Sequence, residues 1–147
     1  MGAESWFYFV DYQSDINKCL QELRQREFKA GRYNPAESFP DYPVNPNHAP
    51  GCKHSSIDEA QTASGASGTR SILDINLLGE SPDYRLVAPL SDANLINLFG
   101  TNKPSRAMIE SKKYDLFEDI ERGQGIYIIA YKDNVPTEIF FAGYSFD

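Results

Sequence analysis

Residues Gly125–Phe146 read GIYIIAYKDNVPTEIFFAGYSF, and the alternation within this stretch decides the fold. Two β-branched and aromatic runs, Ile126–Tyr131 and Thr137–Tyr144, flank the polar break Lys132-Asp133-Asn134. Asp and Asn tolerate the positive φ angles of a tight turn, and Pro136 falls where a returning strand begins, so the stretch reads as a β-hairpin. Ile126, Ile128 and Ala130 share one face, with Tyr127, Ile129 and Tyr131 on the other. On the second strand, Ile139 and Phe141 oppose Phe140 and Ala142. A ribbon that is apolar on both faces needs cover on both. The hairpin is therefore expected in the middle of an antiparallel sheet, with the earlier elements packed on it.

Moving outward, Trp6–Tyr12 (WFYFVDY) is a further strand, again apolar on both faces and expected beside the hairpin. Ser14 is expected to cap a helix reaching Ala30, with Asp15 favouring the positive end of its dipole and Gly31 stopping it. Ile16, Leu20, Leu23 and Phe28 form its apolar stripe. From Arg32 to Ser55 the periodicity vanishes. Five prolines and the rings of Tyr33, Phe39 and Tyr42 occupy this segment. Prolines exclude a long helix or a central strand there. A connection this long is either a functional lid or a disordered linker, and its rings favour packing onto the body as a lid.

Ser56-Ile57-Asp58-Glu59 is a capping box opening a short helix that ends in Ser64–Gly68. Arg70–Ile75 and Tyr84–Leu90 read as two more strands joined by a turn around Gly79–Asp83. Helices follow at Asp92–Phe99 (capped by Ser91, closed by Gly100), from Pro104 to Glu110, and at Asp115–Arg122 before Gly123. Hairpins mixed with helices, without a βαβ rhythm, give the α+β class: a single domain built on a mainly antiparallel sheet of about five strands.

The totals bound the function. The 147 residues suit one domain that buries roughly 70% of its unfolded surface. Aromatics make up 13% of the chain, enough to line a cleft as well as a core. A formal charge of −7 disfavours nucleic-acid backbones and anionic membranes as main partners. The longest apolar run, Ile126–Tyr131, is far too short to span a bilayer, and no charged-then-apolar leader opens the sequence. Cys19 and Cys52 make no disulfide framework, so a cytoplasmic location is the expectation.

Chemistry-bearing residues are scattered. His48, Cys52 and His54 in NHAPGCKH could ligate a transition metal, but the spacing fits no standard zinc pattern, and a solvated loop is the alternative. Ser64–Arg70 (SGASGTR) has the glycines and hydroxyls of an anion nest, yet it leaves a helix to enter a strand, the reverse of a phosphate loop. Charges inside predicted strands carry more information. Asp74 and Glu138, if covered, need cationic partners such as Arg70 or Arg85. No cofactor signature is present.

The segments WFYFVDY, LRQREFKAGRYNP, GTRSILDI and ERGQGIYIIAYKD, with the ending EIFFAGYSFD, together resemble an uncharacterised bacterial protein family over nearly the whole chain. That resemblance implies a bacterial source and no assigned activity, so it lends no residue a role. REFKAGRY also resembles a stretch of ADP-ribosyltransferase-like folds, whose Arg, ring and Glu constellation is not found here.

The expectation is a protein binding a small polar ligand or a protein partner in a cleft between the sheet and the Arg32–Ser55 loop, with Arg32, Tyr33, Tyr42, Arg70 and Arg85 as ligand-binding candidates. One alternative is a transferase or hydrolase acting on a small anionic or nucleotide-like substrate, with Asp74 or Glu138 transferring the proton. Another is a self-associating structural protein, such as a homodimer built on aromatic surfaces.

Overall fold

The computed structural model describes residues 3–37 and 42–147. Phe39 and Pro40, part of the proline-rich reading, lie outside them. The strands are β1 (Ser5–Asp11), β2 (Leu77–Leu78), β3 (Leu86–Pro89), β4 (Gly125–Lys132) and β5 (Val135–Tyr144). They form one mixed sheet in the order β1-β5-β4-β3-β2. β1 and β4 run antiparallel to β5, while β2, β3 and β4 are mutually parallel. The helices are α1 (Ile16–Ala30), α2 (Ile57–Ser64), α3 (Asp92–Phe99), α4 (Arg106–Ser111) and α5 (Lys113–Phe117). The class is α+β.

The β4–β5 hairpin closes through Asp133 and Asn134, both at positive φ (53° and 62°), the geometry of a two-residue primed turn. Pro136 is accommodated because the register slips there, Tyr131 facing Pro136 while Ala130 faces Glu138. Both faces of the ribbon are covered, as its pattern demands. Trp6, Tyr8, Val10, Ile139, Phe141 and Tyr127 pack with α1, α2 and the Ile72–Ile75 segment. Phe7, Phe9, Phe140, Ile126, Ile128 and Ala142 pack with Leu95, Ile109, Leu116, Phe117 and Ile120 from α3 to α5 and the turn beyond. β5, with partners on both sides, buries Ile139 through Ala142 completely.

The helix signals act locally. Asp15 caps α1 in place of Ser14, its Oδ1 accepting from the Lys18 N–H at 3.0 Å, and Gly31 (φ 78°) ends the helix. Ser56, Ser91 and Ser105 cap α2, α3 and α4 by accepting from the N–H three residues on. The stretch expected as Asp115–Arg122 folds instead as α5, starting at Lys113 directly after α4, and then a turn that buries Ile120.

The expected strand Arg70–Ile75 is absent. Arg70 takes a left-handed φ of 55°, Ser71 caps a 3₁₀ turn over Ile72–Asp74, and Ile72, Leu73, Asp74 and Ile75 are all buried. Four consecutive buried residues satisfy a tight turn beneath α1 and contradict a half-exposed strand. The strand supplied in its place is β2, whose two residues pair in parallel with Leu86 and Val87. So short a strand needs only a short return, and residues 79–85 provide it where a longer parallel pair would need a crossover.

The single tryptophan locks β1 to the hairpin. A Cβ at Gly143 would lie 2.4 Å from the Trp6 ring and 2.5 Å from Gln124 O, and one at Gly125 would lie 3.0 Å from the same ring. The two glycines face each other across β4 and β5 and leave the slot in which the indole rests. Gly143→Ala is expected to cost about 2 kcal/mol or more by overpacking, read as a lowered urea midpoint with an unchanged slope.

Candidate functional site

β1 is an edge strand. The Tyr12 N–H donates to Thr137 O (3.1 Å) and the Ser145 N–H to Glu4 O (2.9 Å), so the even-numbered residues of β1 are those bonded to β5. By antiparallel alternation, the N–H and C=O groups of Ser5, Phe7 and Phe9 point away from the sheet. A pocket of about 360 Å³ lies along that edge, floored by the four successive residues Trp6–Phe9 and faced by Pro43–Pro46. Its charged lining is Arg26, Arg32, Arg70 and Arg106 against one carboxylate, Glu27.

Glu27 organises one wall. Its side chain is 5% exposed and takes both oxygens to Arg32, with Nε to Oε1 at 2.9 Å and Nη2 to Oε2 at 2.5 Å. Arg26 Nε reaches the same Oε2 at 3.0 Å. This fork holds the Arg32 guanidinium pKa above its ordinary value, and burial followed by the Glu27 charge pushes the Tyr8 phenol upward too. Arg32 Nη1 also donates to Pro46 O and His48 O, both at 3.3 Å, tethering the proline-rich segment beside the sheet edge. Gly51 N–H bonding Ala30 O at 2.8 Å ties its far end to α1. The segment thus stands at the margin of β1, while α1–α5 supply the cover over the ribbon.

Arg106 forms the opposite wall. It lies 4.3 Å over the Phe9 ring and bonds Glu110 and Glu138, each at 2.8 Å. Arg70 lies 5.4 Å over Tyr42, whose hydroxyl donates to Glu37 O at 2.7 Å.

The other sequence candidates go elsewhere. Tyr33 is fully buried, stacked on Phe28, with its hydroxyl 2.7 Å from His54 Nδ1. His48 Nε2 meets Glu37 Oε2 at 2.7 Å, and Cys52 is exposed. Among the described residues, no three His, Cys, Asp or Glu side chains gather to hold a metal. Glu138 faces Asp11 across β1 and β5 and is engaged by Arg106. Arg85 sits 4.8 Å over Phe146, away from the pocket, with Nη1 3.4 Å from Asp74 O. Trp6–Phe9, Arg26, Glu27 and Arg106, which build the site, were not singled out by sequence. Their role follows from β1 being outermost, which only the sheet order reveals.

Asp74 is a fully buried carboxyl. Oδ1 accepts from the Thr69 N–H (2.7 Å) and the Thr69 hydroxyl (2.9 Å), while Oδ2 has no partner among the described residues. Burial raises its pKa from 3.8 to about 6, against the lowering effect of the Thr69 bonds and the Arg85 charge. The folded state therefore holds this proton more tightly than the unfolded chain. The stability it contributes is full below pH 3.8, declines as pH rises towards about 6, and is gone above.

Asp74→Asn is expected to lose that slope and to exceed the parent by about 2 kcal/mol above pH 6. Urea unfolding of both proteins from pH 4 to 8 checks this; parallel curves refute it. Arg32→Ala leaves Glu27 to Arg26 and is expected to cost about 2 kcal/mol by the same measurement, with faster proteolysis at Pro43–His48.

Comparison of the chain with protein-family models, with curated proteins and with solved structures yields no match.

Proposed function

We propose that this is a binding protein whose β1-edge pocket takes an anionic group carried on an apolar body, as part of a small ligand or of a protein. The observation that carries this reading is the meeting of four arginines over an aromatic floor in a chain of net charge −7. Guanidinium groups gathered at one concave place offer hydrogen-bond donors suited to a carboxylate or phosphate. The rings of Trp6, Phe7, Tyr8 and Phe9 supply apolar area for the remainder of the ligand.

The enzyme reading has less behind it. Neither Asp74 nor Glu138 lines the pocket, and both oxygens of Glu27 are taken by two guanidinium groups, which suits it to positioning arginines better than to moving protons.

Trp6 is the only tryptophan and lines the pocket, so its fluorescence reports occupancy. Titration with phenyl phosphate and with benzoate is expected to give a saturable change that weakens as salt is raised. Arg106→Gln and Arg70→Gln should each weaken binding about tenfold, the loss of one charge-assisted contact. A flat titration with both anions, or variants that bind like the parent, would overturn the proposal.

A further inference from the structure

Between the β1 edge and the Pro43–Pro46 segment runs a slot with room for an extended polypeptide. Resting on the pocket reading above, we infer that the ligand is an acidic segment of another protein that adds to the sheet as a sixth strand beside β1.

The backbone comes first. Phe7 and Phe9 direct N–H and C=O groups into the pocket side, and among the described residues no strand receives them. Buried or half-buried backbone groups of this kind find partners, and an incoming strand satisfies them in register. Edge strands are ordinarily protected by lysine, proline, a bulge or a covering loop. The sequence SWFYFVD has none of the first three, its pairing with β5 is unbroken from Ser5 to Asp11, and the Pro43–Pro46 segment faces it across the pocket. Four residues of open edge span about 13 Å, room for about four residues of partner.

Charge selects the occupant. An added strand points alternate side chains to the two faces of the sheet. On the α1 side those side chains meet Arg26, Arg32 and Arg70; on the other they meet the Phe7 and Phe9 rings, with Lys113 3.9 Å over Phe7 and Arg106 4.3 Å over Phe9. Three arginines on the α1 side against two cations over apolar rings favour acids on the α1 side, so the fitting sequence alternates acidic and apolar residues. A second copy of this chain fits worse, because its own β1 would bring the same arginines against these.

The probe is the hexapeptide acetyl-Val-Glu-Val-Glu-Val-Glu-amide, followed by Trp6 fluorescence, with two analogues N-methylated at alternate sets of amides. Strand addition predicts that one analogue loses at least tenfold in affinity while the other binds like the parent peptide, because only one set faces β1. Equal binding of both analogues overturns strand addition. Failure of the peptide while phenyl phosphate binds also overturns it and leaves the anion pocket standing; failure of both removes both. Sedimentation showing a dimer that the peptide does not dissociate assigns the edge to self-association and overturns the inference as well.

Discussion

The structure depends on a ribbon that has no wet side. β5 is buried from Ile139 to Ala142, and β4 puts Ile126 and Ile128 into the core of one face while Tyr127 reaches the other. Two apolar faces require two layers of cover, and the chain supplies them from separate halves: α1, α2 and the Ile72–Ile75 turn before β3, then α3, α4 and α5 between β3 and β4. The helices after β3 supply the crossover that lets β4 enter parallel to it, which makes the sheet mixed. With β4 and β2 flanking β3, and β5 flanking β4, β1 is left at the margin.

That marginal position generates the site. An aromatic strand at an edge exposes its backbone as well as parts of its rings, and α1 then lays Arg26, Glu27 and Arg32 beside it. Glu27 lowers the repulsion between Arg26 and Arg32, and Arg32 turns Nη1 to the carbonyls of Pro46 and His48. One buried carboxylate thus arranges both the charge of the wall and the position of the proline segment. Breaking a buried ion pair is far costlier than never having built it, so the chain is committed to this arrangement once Glu27 is buried.

Much of the fold was legible in sequence where a single local rule suffices. The Asp133-Asn134 turn, Gly31, the serine caps at Ser56 and Ser91, and the alternation across Ile126–Ala142 each act over a few residues. Arg70–Ile75 misled because β-branched and apolar residues also suit a buried 3₁₀ turn, and only the inward pull of Asp74 on the Thr69 N–H and hydroxyl distinguishes the two. The pocket was legible only in part. Arg32 and Arg70 were candidates as cations near a long loop, whereas Arg26 and Arg106 sit on helices that meet only through the sheet, and no sequence spacing connects them. Tyr33 was drawn into the core by Phe28 and His54, which its neighbourhood in prolines concealed.

The pairing of Ser5 with Tyr144 has a temporal side. A ribosome delivers β1 first of the five strands and β5 last, so the aromatic run Trp6–Phe9 waits without its hydrogen-bonding partner while every intervening element is made. Loop-closure entropy over that distance weighs against this contact until the elements between have folded and shortened it. During synthesis the same rings that later floor the pocket stay open on the side that β5 will close.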